Sequence, residues 1–358
     1  MTLPLARPGG PPNRSTGRGP SIWDAGVAVP GRSRIVLAWE RSPQGGYRDS
    51  VIVREYYQRD ALDPVLDAEF VLSLVQRHVP HASQLTSVDE SGGEARTYLV
   101  DETIVLKVQR PHQLRSWTSL AKEVAFLRQI EEDDPALPVP RVLGYGREES
   151  VEYTCMTRMA GDAAVRSTIP DAVRSETLGA LGRVIRRVHA ISQAPLRASG
   201  LFPEEYTPAD LRMSVAEDVH DLAESIAKSG QAWPLSLRPE QLAHVLAERV
   251  PETDMPIALH TNPGPTHTFV DPKSGRFVGL IDFGDAYIGH PVFDLWQWGD
   301  PSDRQAVLAG YLESGPLDAE FWSMWDAAQV VSDLVAISRR RPYLDRSARH
   351  LKELVAGW

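Results

Sequence analysis

The residues with the clearest chemical capacity lie in the stretch 260–282. His260, Asn262 and His267 follow the pattern His-x-Asn-x-x-x-x-His, and Asp282 begins the run Asp-Phe-Gly. An imidazole and a carboxylate can together bind a divalent cation, although imidazole is a less usual ligand of Mg²⁺ than an oxygen atom. The spacing is typical of a phosphoryl-transfer centre, with Asn262 at the position where such a centre has its proton-accepting Asp.

Two charged residues earlier in the chain could complete this centre. Lys107 follows the apolar run 104–106, where a lysine can reach nucleotide phosphates as a point charge. Glu123 lies among apolar residues on a predicted helix, where it could pair with Lys107 and hold it in place. Taken alone, each residue is better explained as a solvated charge. The order Lys, Glu, Asn, Asp favours the phosphoryl-transfer site, because ordered elements of this kind rarely coincide by chance.

Hydrophobic periodicity predicts the elements that must position these residues. Strand-like runs lie at 84–88, 97–100, 104–108, 142–143 and 153–156, and helical spacing lies at 67–79, 119–130, 175–191 and 319–338. Runs at 269–270 and 277–281 flank a turn-forming stretch, which predicts a hairpin that brings His267 beside Asp282. Strands with one helix, followed mainly by helices, predict an α+β chain of two lobes.

The predicted domains are a Pro-, Gly- and Arg-rich tail at 1–32, an N-terminal nucleotide-binding lobe at 33–160 and a helical C-terminal lobe at 161–358. We expect the tail to be disordered, because it cannot bury enough apolar surface to offset chain entropy. Strand-like runs at 35–39 and 51–56 predict an extra hairpin in the N-terminal lobe. The C-terminal lobe would contain the catalytic loop and the acceptor pocket.

Composition restricts the partners and the compartment. With 38 Lys and Arg against 48 Asp and Glu, the net charge of −10 argues against nucleic-acid binding, which needs a basic surface. No apolar run approaches the roughly 18 residues of a membrane span, and the first residues lack the apolar core of a signal peptide. The single cysteine, Cys155, cannot form an internal disulfide. We therefore expect a cytoplasmic monomer or homodimer without nucleic-acid or membrane partners.

The motifs in the C-terminal half resemble those of the aminoglycoside phosphotransferase and choline kinase superfamily, whose members phosphorylate hydroxyl groups of small molecules. The resemblance covers roughly residues 65–315 and is carried by LHTN at 259–262, FVD at 269–271, GLIDFGDA at 279–286 and GHPVFDL at 289–295. It implies a protein-kinase-like bilobal fold with a small β-rich N-terminal lobe and a larger, mainly helical C-terminal lobe. It also implies Mg²⁺ and ATP or GTP as cofactors, and a small-molecule hydroxyl as acceptor.

The resemblance also implies a role for each matching residue on the nucleotide side. Lys107 would contact the α- and β-phosphates, and Glu123 would anchor Lys107. A short loop with two glycines would replace the usual glycine-rich phosphate loop, and hinge backbone groups would bind adenine. These further contacts would come from Ser91, Gly92, Thr157 and Met159.

On the catalytic side, the resemblance implies that His267 and Asp282 hold Mg²⁺, with His at the first position a familiar variation in the family. His260 would orient the catalytic loop, and Asp294 would be the buried acid that braces it. Asn262 is the main departure, because the family has an Asp there that accepts or orients the proton of the attacking hydroxyl.

Two hypotheses follow from Asn262. A general base typically contributes only ~10²–10⁴-fold, so an ATP- or GTP-dependent kinase could still work by positioning and metal electrostatics. Alternatively, the chain is a catalytically impaired pseudokinase that binds nucleotide or a small ligand as a sensor or partner. Protein kinase activity is a weaker idea, because no Ala-Pro-Glu segment follows Asp282.

The region between the long helix and the catalytic loop is where the resemblance places the acceptor pocket. It is rich in acidic residues, which would suit an aminoglycoside or another cationic alcohol. Charge runs on helices are more often solvated faces, so the acidity alone does not identify the acceptor. Phe202, Tyr206 and Trp233 could stack on a sugar or fill the core.

Overall fold

The computed structural model describes residue 63 and residues 65–110, 119–148, 151–165, 168–202, 207–252 and 256–358. The predicted tail at 1–32 and the predicted hairpin strands at 35–39 and 51–56 lie outside the described residues. All of the described residues lie in one compact unit. That unit contains a β-rich N-terminal part and a mainly helical C-terminal part, so the predicted α+β class is confirmed.

The N-terminal part is built on an antiparallel sheet that has five strands within the described residues, in the order β1-β2-β3-β5-β4. The strands are β1 (Leu85–Asp89), β2 (Ala95–Val100), β3 (Ile104–Gln109), β4 (Val142–Glu148) and β5 (Val151–Thr157). Helix α1 (Ala68–Gln76) precedes them, and helix α2 (Leu120–Asp133) joins β3 to β4.

Strand β3 places Lys107 on the face of the sheet opposite α1. Ile104, Leu106 and Val108 are buried in the small apolar core that also contains Val71 of α1. Because successive side chains of a strand point to opposite faces, Lys107 points to the other side. Helix α2 begins at a conventional cap, where the Ser119 side chain accepts a hydrogen bond from the N–H of Lys122.

The C-terminal part contains the larger core, formed mainly by long helices. The helices are α3 (Asp171–His189), α4 (Gln193–Ala198), α5 (Pro208–Lys228), α6 (Pro239–Arg249), α7 (Val292–Leu295), α8 (Pro301–Leu312), α9 (Ala319–Ser338) and α10 (Leu344–Ala356). Two small antiparallel sheets lie among them, β6-β8-β9 and β7-β10. Their strands are β6 (Asp162–Ala163), β7 (Ile257–Leu259), β8 (Thr268–Val270), β9 (Phe277–Leu280) and β10 (Tyr287–Gly289).

Helix α3 is the longest predicted helix near the site, and it packs closely against α8. A Cβ atom on Gly182 would lie 1.9 Å from the carbonyl oxygen of Val307, and one on Gly310 would lie 1.9 Å from the carbonyl oxygen of Gly179. Glycine at these positions therefore allows the two backbones to approach. The contact holds the middle of α3 against α8, and His189 is the last residue of α3.

The predicted strands and helices are present in the structure, but the sequence predicts no individual bounds for α5, α6, α8 and α10 within the region that it indicates to be mainly helical. Strands β6, β7 and β10 were not predicted, because two or three residues are too few to show a periodicity. Helix α3 begins at Asp171 rather than at 175, and β4 is much longer than the predicted pair 142–143. The predicted hairpin at 269–281 is confirmed by the antiparallel pairing of β8 with β9.

Cys155 lies in β5 and is completely buried. Burial raises the pKa of its thiol to about 12, so the side chain stays protonated and enclosed. Within the part of the chain that the structure describes, no helix combines the length and apolarity needed to cross a membrane.

His290 is a buried histidine in the C-terminal core. Its ring stacks on Phe321 at 6.0 Å between centroids, and its Nδ1 accepts a hydrogen bond from the N–H of Val292. The Nε2 atom is buried and has no hydrogen-bond partner among the residues that the structure describes. Desolvation by burial lowers the pKa of His290 to about 4, so the folded protein holds this imidazole neutral.

We expect His290 to make the protein less stable in acid. Below about pH 6.5 the unfolded chain binds a proton at this residue and the folded chain does not, so stability falls as the pH decreases toward 4. Between pH 7 and pH 5, His290→Gln should remove about 2 kcal/mol of this decrease. Urea unfolding at both pH values measures it, with His244→Gln as the exposed control. An unchanged pH dependence in His290→Gln would contradict the assignment.

Candidate active site

Lys107 lies at the centre of a cluster of charged side chains. Its Nζ donates to both carboxylate oxygens of Glu123, at 3.1 and 2.9 Å, and to Oδ1 of Asp282 at 2.6 Å. Glu123 is buried and also accepts a hydrogen bond at 3.2 Å from the N–H of Phe283. The structure therefore brings together three residues that are far apart in sequence, as the order of motifs predicts.

The charges of this cluster stabilise one another. Burial opposes the charged form of Lys107, but the carboxylates of Asp282 and Glu123 outweigh it and raise the pKa of Lys107. Burial likewise opposes the charge of Asp282, while Lys107 and His267 hold the pKa of its carboxyl well below the usual range. At neutral pH the site thus presents an ammonium and a carboxylate side by side, a combination suited to phosphate and a divalent cation.

The hairpin of β8 and β9 places His267 beside Asp282. Thr268 pairs with Leu280, and the N–H of Ile281 donates to the carbonyl of His267 at 3.0 Å. As a result, Nε2 of His267 lies 3.2 Å from Oδ2 of Asp282. The two residues therefore have the separation expected of ligands to one ion.

The hydrogen bond at the other ring nitrogen shows how His267 could act as a ligand. Its Nδ1 lies 2.9 Å from the backbone oxygen of Asn262, a pure acceptor, so Nδ1 carries the proton. If a cation displaced any proton on Nε2, the Nε2 lone pair would face that cation on the side where Asp282 lies. Metal-ligating histidines commonly donate their other N–H to a backbone carbonyl in this way.

These two side chains fit a cation that is bound mainly through other groups. Among the described residues, no cluster of three or more His, Cys, Asp or Glu side chains could hold a metal ion. Mg²⁺ usually binds through one or two protein ligands together with substrate phosphates and water. His267 and Asp282 therefore suit a cation that arrives with a nucleotide.

The buried carboxylate of Asp294 braces the loop that contains His260, Thr261 and Asn262. It accepts hydrogen bonds from the backbone N–H groups of His260, at 2.8 Å, and Thr261. His189 of α3 contacts the same carboxylate through Nε2 at 2.9 Å, and its Nδ1 lies 2.9 Å from the hydroxyl of Tyr311. The loop is thus fixed to α3 and α8. His189 and Tyr311 were not among the predicted site residues, because nothing local in the sequence links them to the loop.

His260 joins its own loop, which also contains Asn262, to the segment that carries Asp282. Its Nε2 donates to the carbonyl of Ile281 at 2.8 Å, and its Nδ1 accepts from the N–H of Asn262 at 3.2 Å. The ring also contacts Phe283 edge-on, with centroids 4.5 Å apart. Burial lowers the pKa of His260 to about 4, so the ring is neutral and both nitrogens are engaged. This arrangement supports a positioning role for His260.

Backbone strain occurs at both ends of this arrangement. Thr261 has φ 82° and Asp282 has φ 71°, in the left-handed region that side chains other than glycine rarely adopt. Strain of this kind costs about 1–3 kcal/mol per residue and persists only where the surroundings enforce it. Asp294 holds the backbone of Thr261 through a hydrogen bond, and ion pairs with Lys107 and His267 hold Asp282. These contacts support a functional reason for both backbone conformations.

Two residues that follow α7, and that the sequence does not predict as site residues, also hold the loop that contains Asn262. Gln297 donates through Nε2 to the carbonyl of Thr261 at 2.9 Å, and Trp298 donates through Nε1 to the carbonyl of Pro263 at 3.1 Å. Together they fix the backbone on either side of Asn262. The sequence carries no motif that would identify them, since each acts through a single side-chain donor.

The two predicted nucleotide contacts at the hinge, Thr157 and Met159, differ in whether their backbone N–H already has a hydrogen-bond partner. The N–H of Thr157 donates to the carbonyl of Arg141 at 2.9 Å, so the fold itself uses that group. No hydrogen bond within the described residues satisfies the N–H of Met159. The side chain of Met159 crosses β9 where Gly279 leaves room, since a Cβ there would lie 2.0 Å from the Met159 methyl group.

Ser91 and Gly92 lie in the loop between β1 and β2, at the edge of the N-terminal sheet. The N–H of Ser91 donates to Oδ1 of Asp89 at 2.9 Å. A Cβ on Gly92 would lie 2.2 Å from the carbonyl oxygen of Ala95, so the turn requires glycine. The loop is therefore a specific turn, although it lacks the Gly-x-Gly-x-x-Gly pattern.

The acidic region carries many of its charged side chains on α5 and α6. Several of its charges belong to exposed ion pairs, which favours solvated helix faces: Arg212 with Glu252, Lys228 with Glu224, and His244 with Glu248. Phe202 packs against Phe126 with centroids 6.0 Å apart, and Trp233 donates to the carbonyl of Leu237. Phe202 and Trp233 are partly buried and pack against the larger core, and Tyr206 lies outside the described residues.

Solved structures of antibiotic kinases share this fold. The GDP complex of wild-type aminoglycoside 2'-phosphotransferase-IIIa superposes with a TM-score of 0.51 at 18% identity, covering 82% of this chain and 99% of that one. The gentamicin complex of APH(2")-IIa gives a TM-score of 0.50 at 17% identity, covering 81% of this chain and 97% of that one. The predicted protein-kinase-like fold is confirmed.

Sequence comparison gives a consistent result. The chain is 24% identical over 151 residues to an aminoglycoside 3'-phosphotransferase of Streptomyces ribosidificus, a match over 41% of this chain and 53% of that enzyme. The chain thus spans about half the length of this curated relative. The model of the phosphotransferase enzyme family, APH, matches residues 85–326, which is more than half of the 358 residues. The chain therefore belongs to this phosphotransferase family.

Proposed function

We propose that the chain transfers the γ-phosphoryl group of ATP or GTP to a hydroxyl group of a small molecule, such as an antibiotic or a sugar-like metabolite. The observation that carries this proposal is the position of Lys107, whose ammonium contacts both Glu123 and Asp282 while His267 lies across the Asp282 carboxylate. That arrangement suits a triphosphate accompanied by a divalent cation. The family membership of residues 85–326 supports the same chemistry.

In this proposal Lys107 contacts the phosphates, and Glu123 holds the ammonium group of Lys107 in position through their ion pair. His267 and Asp282 would hold Mg²⁺, which when bound neutralises charge on the β- and γ-phosphates. The backbone N–H of Met159 would donate a hydrogen bond to the nucleobase of the nucleotide. The loop between β1 and β2, which contains Ser91 and Gly92, would cover the phosphates.

The acceptor hydroxyl would be oriented by Asn262. In the reaction the acceptor oxygen forms a bond to the γ-phosphorus, the bond to the β-phosphate oxygen breaks, and the nucleoside diphosphate leaves. The Asn262 amide oxygen can accept a hydrogen bond from the hydroxyl but cannot take up its proton. The proton therefore passes to a phosphoryl oxygen or to water, and we expect turnover to be slow.

A second candidate function rests on the same residue. Because Asn262 offers no basic atom, the protein could bind nucleotide and serve as a sensor without turnover. The kinase and the sensor share Lys107, Glu123 and Asp282, and they differ only in whether product forms.

A screen for phosphorylated product separates the two functions. ATP and GTP would each be tested with Mg²⁺ against aminoglycosides, macrolides, nucleosides and amino alcohols, with product detected by mass. A phosphorylated acceptor is the expected result. Nucleotide binding without product across the panel would favour the sensor, and absence of nucleotide binding would exclude both.

The finer assignments are also proposals. A cationic acceptor is supported by the acidic composition of the chain, with a net charge of −10. Mg²⁺ is supported by the His267 and Asp282 pair. A cytoplasmic location and a monomeric or homodimeric state remain predictions from the sequence.

A further inference from the structure

Three charged side chains, those of Asp63, Arg96 and Arg110, lie beside the loop between β1 and β2. Asp63 comes before the family-matched region 85–326. Asp63 Oδ2 accepts from Nε of Arg110 at 2.7 Å and from Nη2 of Arg96 at 2.9 Å, and Asp63 Oδ1 accepts from Nη1 of Arg96 at 2.8 Å. Arg96 lies at the start of β2 and Arg110 follows β3. Asp63 therefore links the start of β2, the strand that follows the loop, to the residue that follows β3.

Arg110 also contacts the loop itself. Its Nη1 donates to the carbonyl of Gly92 at 2.7 Å and lies 3.4 Å from the carbonyl of Glu90. The peptide unit is planar and trans, so the N–H of Gly93 points away from the Gly92 carbonyl. Arg110 thus turns the N–H of Gly93 to the opposite side of the loop, where Gly93 is exposed and a Cβ would meet open space.

The clamp of Asp63, Arg96 and Arg110 is largely enclosed. The side chains of Arg96, Arg110 and Asp63 are 3%, 14% and 16% exposed, in contrast to typical surface pairs. Burial opposes the charge of Asp63, but hydrogen bonds from Arg96 and Arg110 outweigh it and lower the pKa of the carboxyl. The ion pairs therefore remain formed at neutral pH.

Both nitrogens of the Arg110 fork are needed for this geometry. Nε faces Asp63 and Nη1 faces Gly92, so the side chain transmits the position of Asp63 to the loop. A lysine could provide the charge but not two fixed donors. Since Asp63 lies outside residues 85–326, the segment before the matched region contributes to the loop.

We propose that Asp63 and Arg110 are positioning residues for nucleotide binding, and that they set the β1–β2 loop so that the Gly93 N–H faces a nucleotide phosphate. The proposal rests on the proposed nucleotide-binding function. It adds that residues preceding the family-matched region control affinity for the phosphates, and that the base is bound independently of them.

The test compares a nucleoside triphosphate with its nucleoside. Dissociation constants for ATP or GTP, and for adenosine or guanosine, would be measured by competition against a fluorescent nucleotide in wild type, Asp63→Asn and Arg110→Lys. We expect both variants to bind the triphosphate about 10-fold more weakly, because a charge-assisted hydrogen bond that orders the loop is lost. Affinity for the nucleoside should be unchanged.

Glu148→Gln is the matched control, because Glu148 forms a more exposed pair with Arg77 in the same lobe, away from the loop. Thermal unfolding of every variant shows whether the lobe remains folded, and Arg110→Lys carries the test if Asp63→Asn does not fold. Unchanged triphosphate affinity in Arg110→Lys would overturn this inference but would leave the proposed function standing. Equal weakening for triphosphate and nucleoside would also overturn it, and a wild type that binds neither nucleotide would overturn the proposed function as well.

Discussion

Asp282→Asn is expected to reduce phosphoryl transfer by about 10²–10³-fold, the usual effect of removing one electrostatic group that stabilises a transition state. The substitution keeps the shape of the side chain but removes the charge that faces both Lys107 and His267. An amide is a weaker ligand for a divalent cation than a carboxylate. Lys107 would remain paired with Glu123, so the fold should be retained.

The measurement is product formation per unit time with the acceptor found in the screen. Glu313→Gln serves as the control, because it removes an exposed carboxylate that pairs with Arg183 of α3 and contacts none of Lys107, Glu123, His267 and Asp282. That variant should keep wild-type activity. If Asp282→Asn turned over as fast as wild type, the assignment of Asp282 to the reaction centre would be wrong.

Asn262→Asp is expected to increase turnover, by about 10²-fold at the lower end of what a general base contributes. The position is already prepared for a base, because Asp294, Gln297 and Trp298 fix the loop around it. A carboxylate there could take the proton of the acceptor hydroxyl, which the amide cannot do. The substitution changes one atom and leaves the backbone hydrogen bond to His267 in place.

Asn262→Ala is the companion variant, since it removes the orienting oxygen without adding a base. Its turnover should fall below that of wild type. Loss of activity in Asn262→Asp would mean that the site is built around an amide. Asn262 would then not be the residue that limits turnover. If wild type forms no product and Asn262→Asp does, the sensor hypothesis gains support for the natural chain.

The sequence predicts those parts of the site that depend on local pattern. The apolar run before Lys107 predicts strand β3, and the turn between β8 and β9 predicts that His267 and Asp282 meet. Both follow from short apolar runs and from turn chemistry, which act over a few residues. The order of the motifs then supplies the fold.

The contacts that sequence reasoning missed join residues that are distant along the chain. His189 reaches Asp294 across 105 positions, and Arg110 reaches Asp63 across 47. Each pair depends on how helices or strands pack, which no local pattern encodes. The acidic region shows the opposite failure, because a local excess of charge there belongs to exposed ion pairs.

The most direct test is a crystal structure of the protein with a non-hydrolysable ATP analogue and Mn²⁺, whose anomalous scattering locates the ion. We expect one peak in direct coordination with Oδ2 of Asp282 and Nε2 of His267, with the phosphates against the ammonium of Lys107. A nucleotide bound away from these three side chains, or an ion that touches neither His267 nor Asp282, would contradict the account.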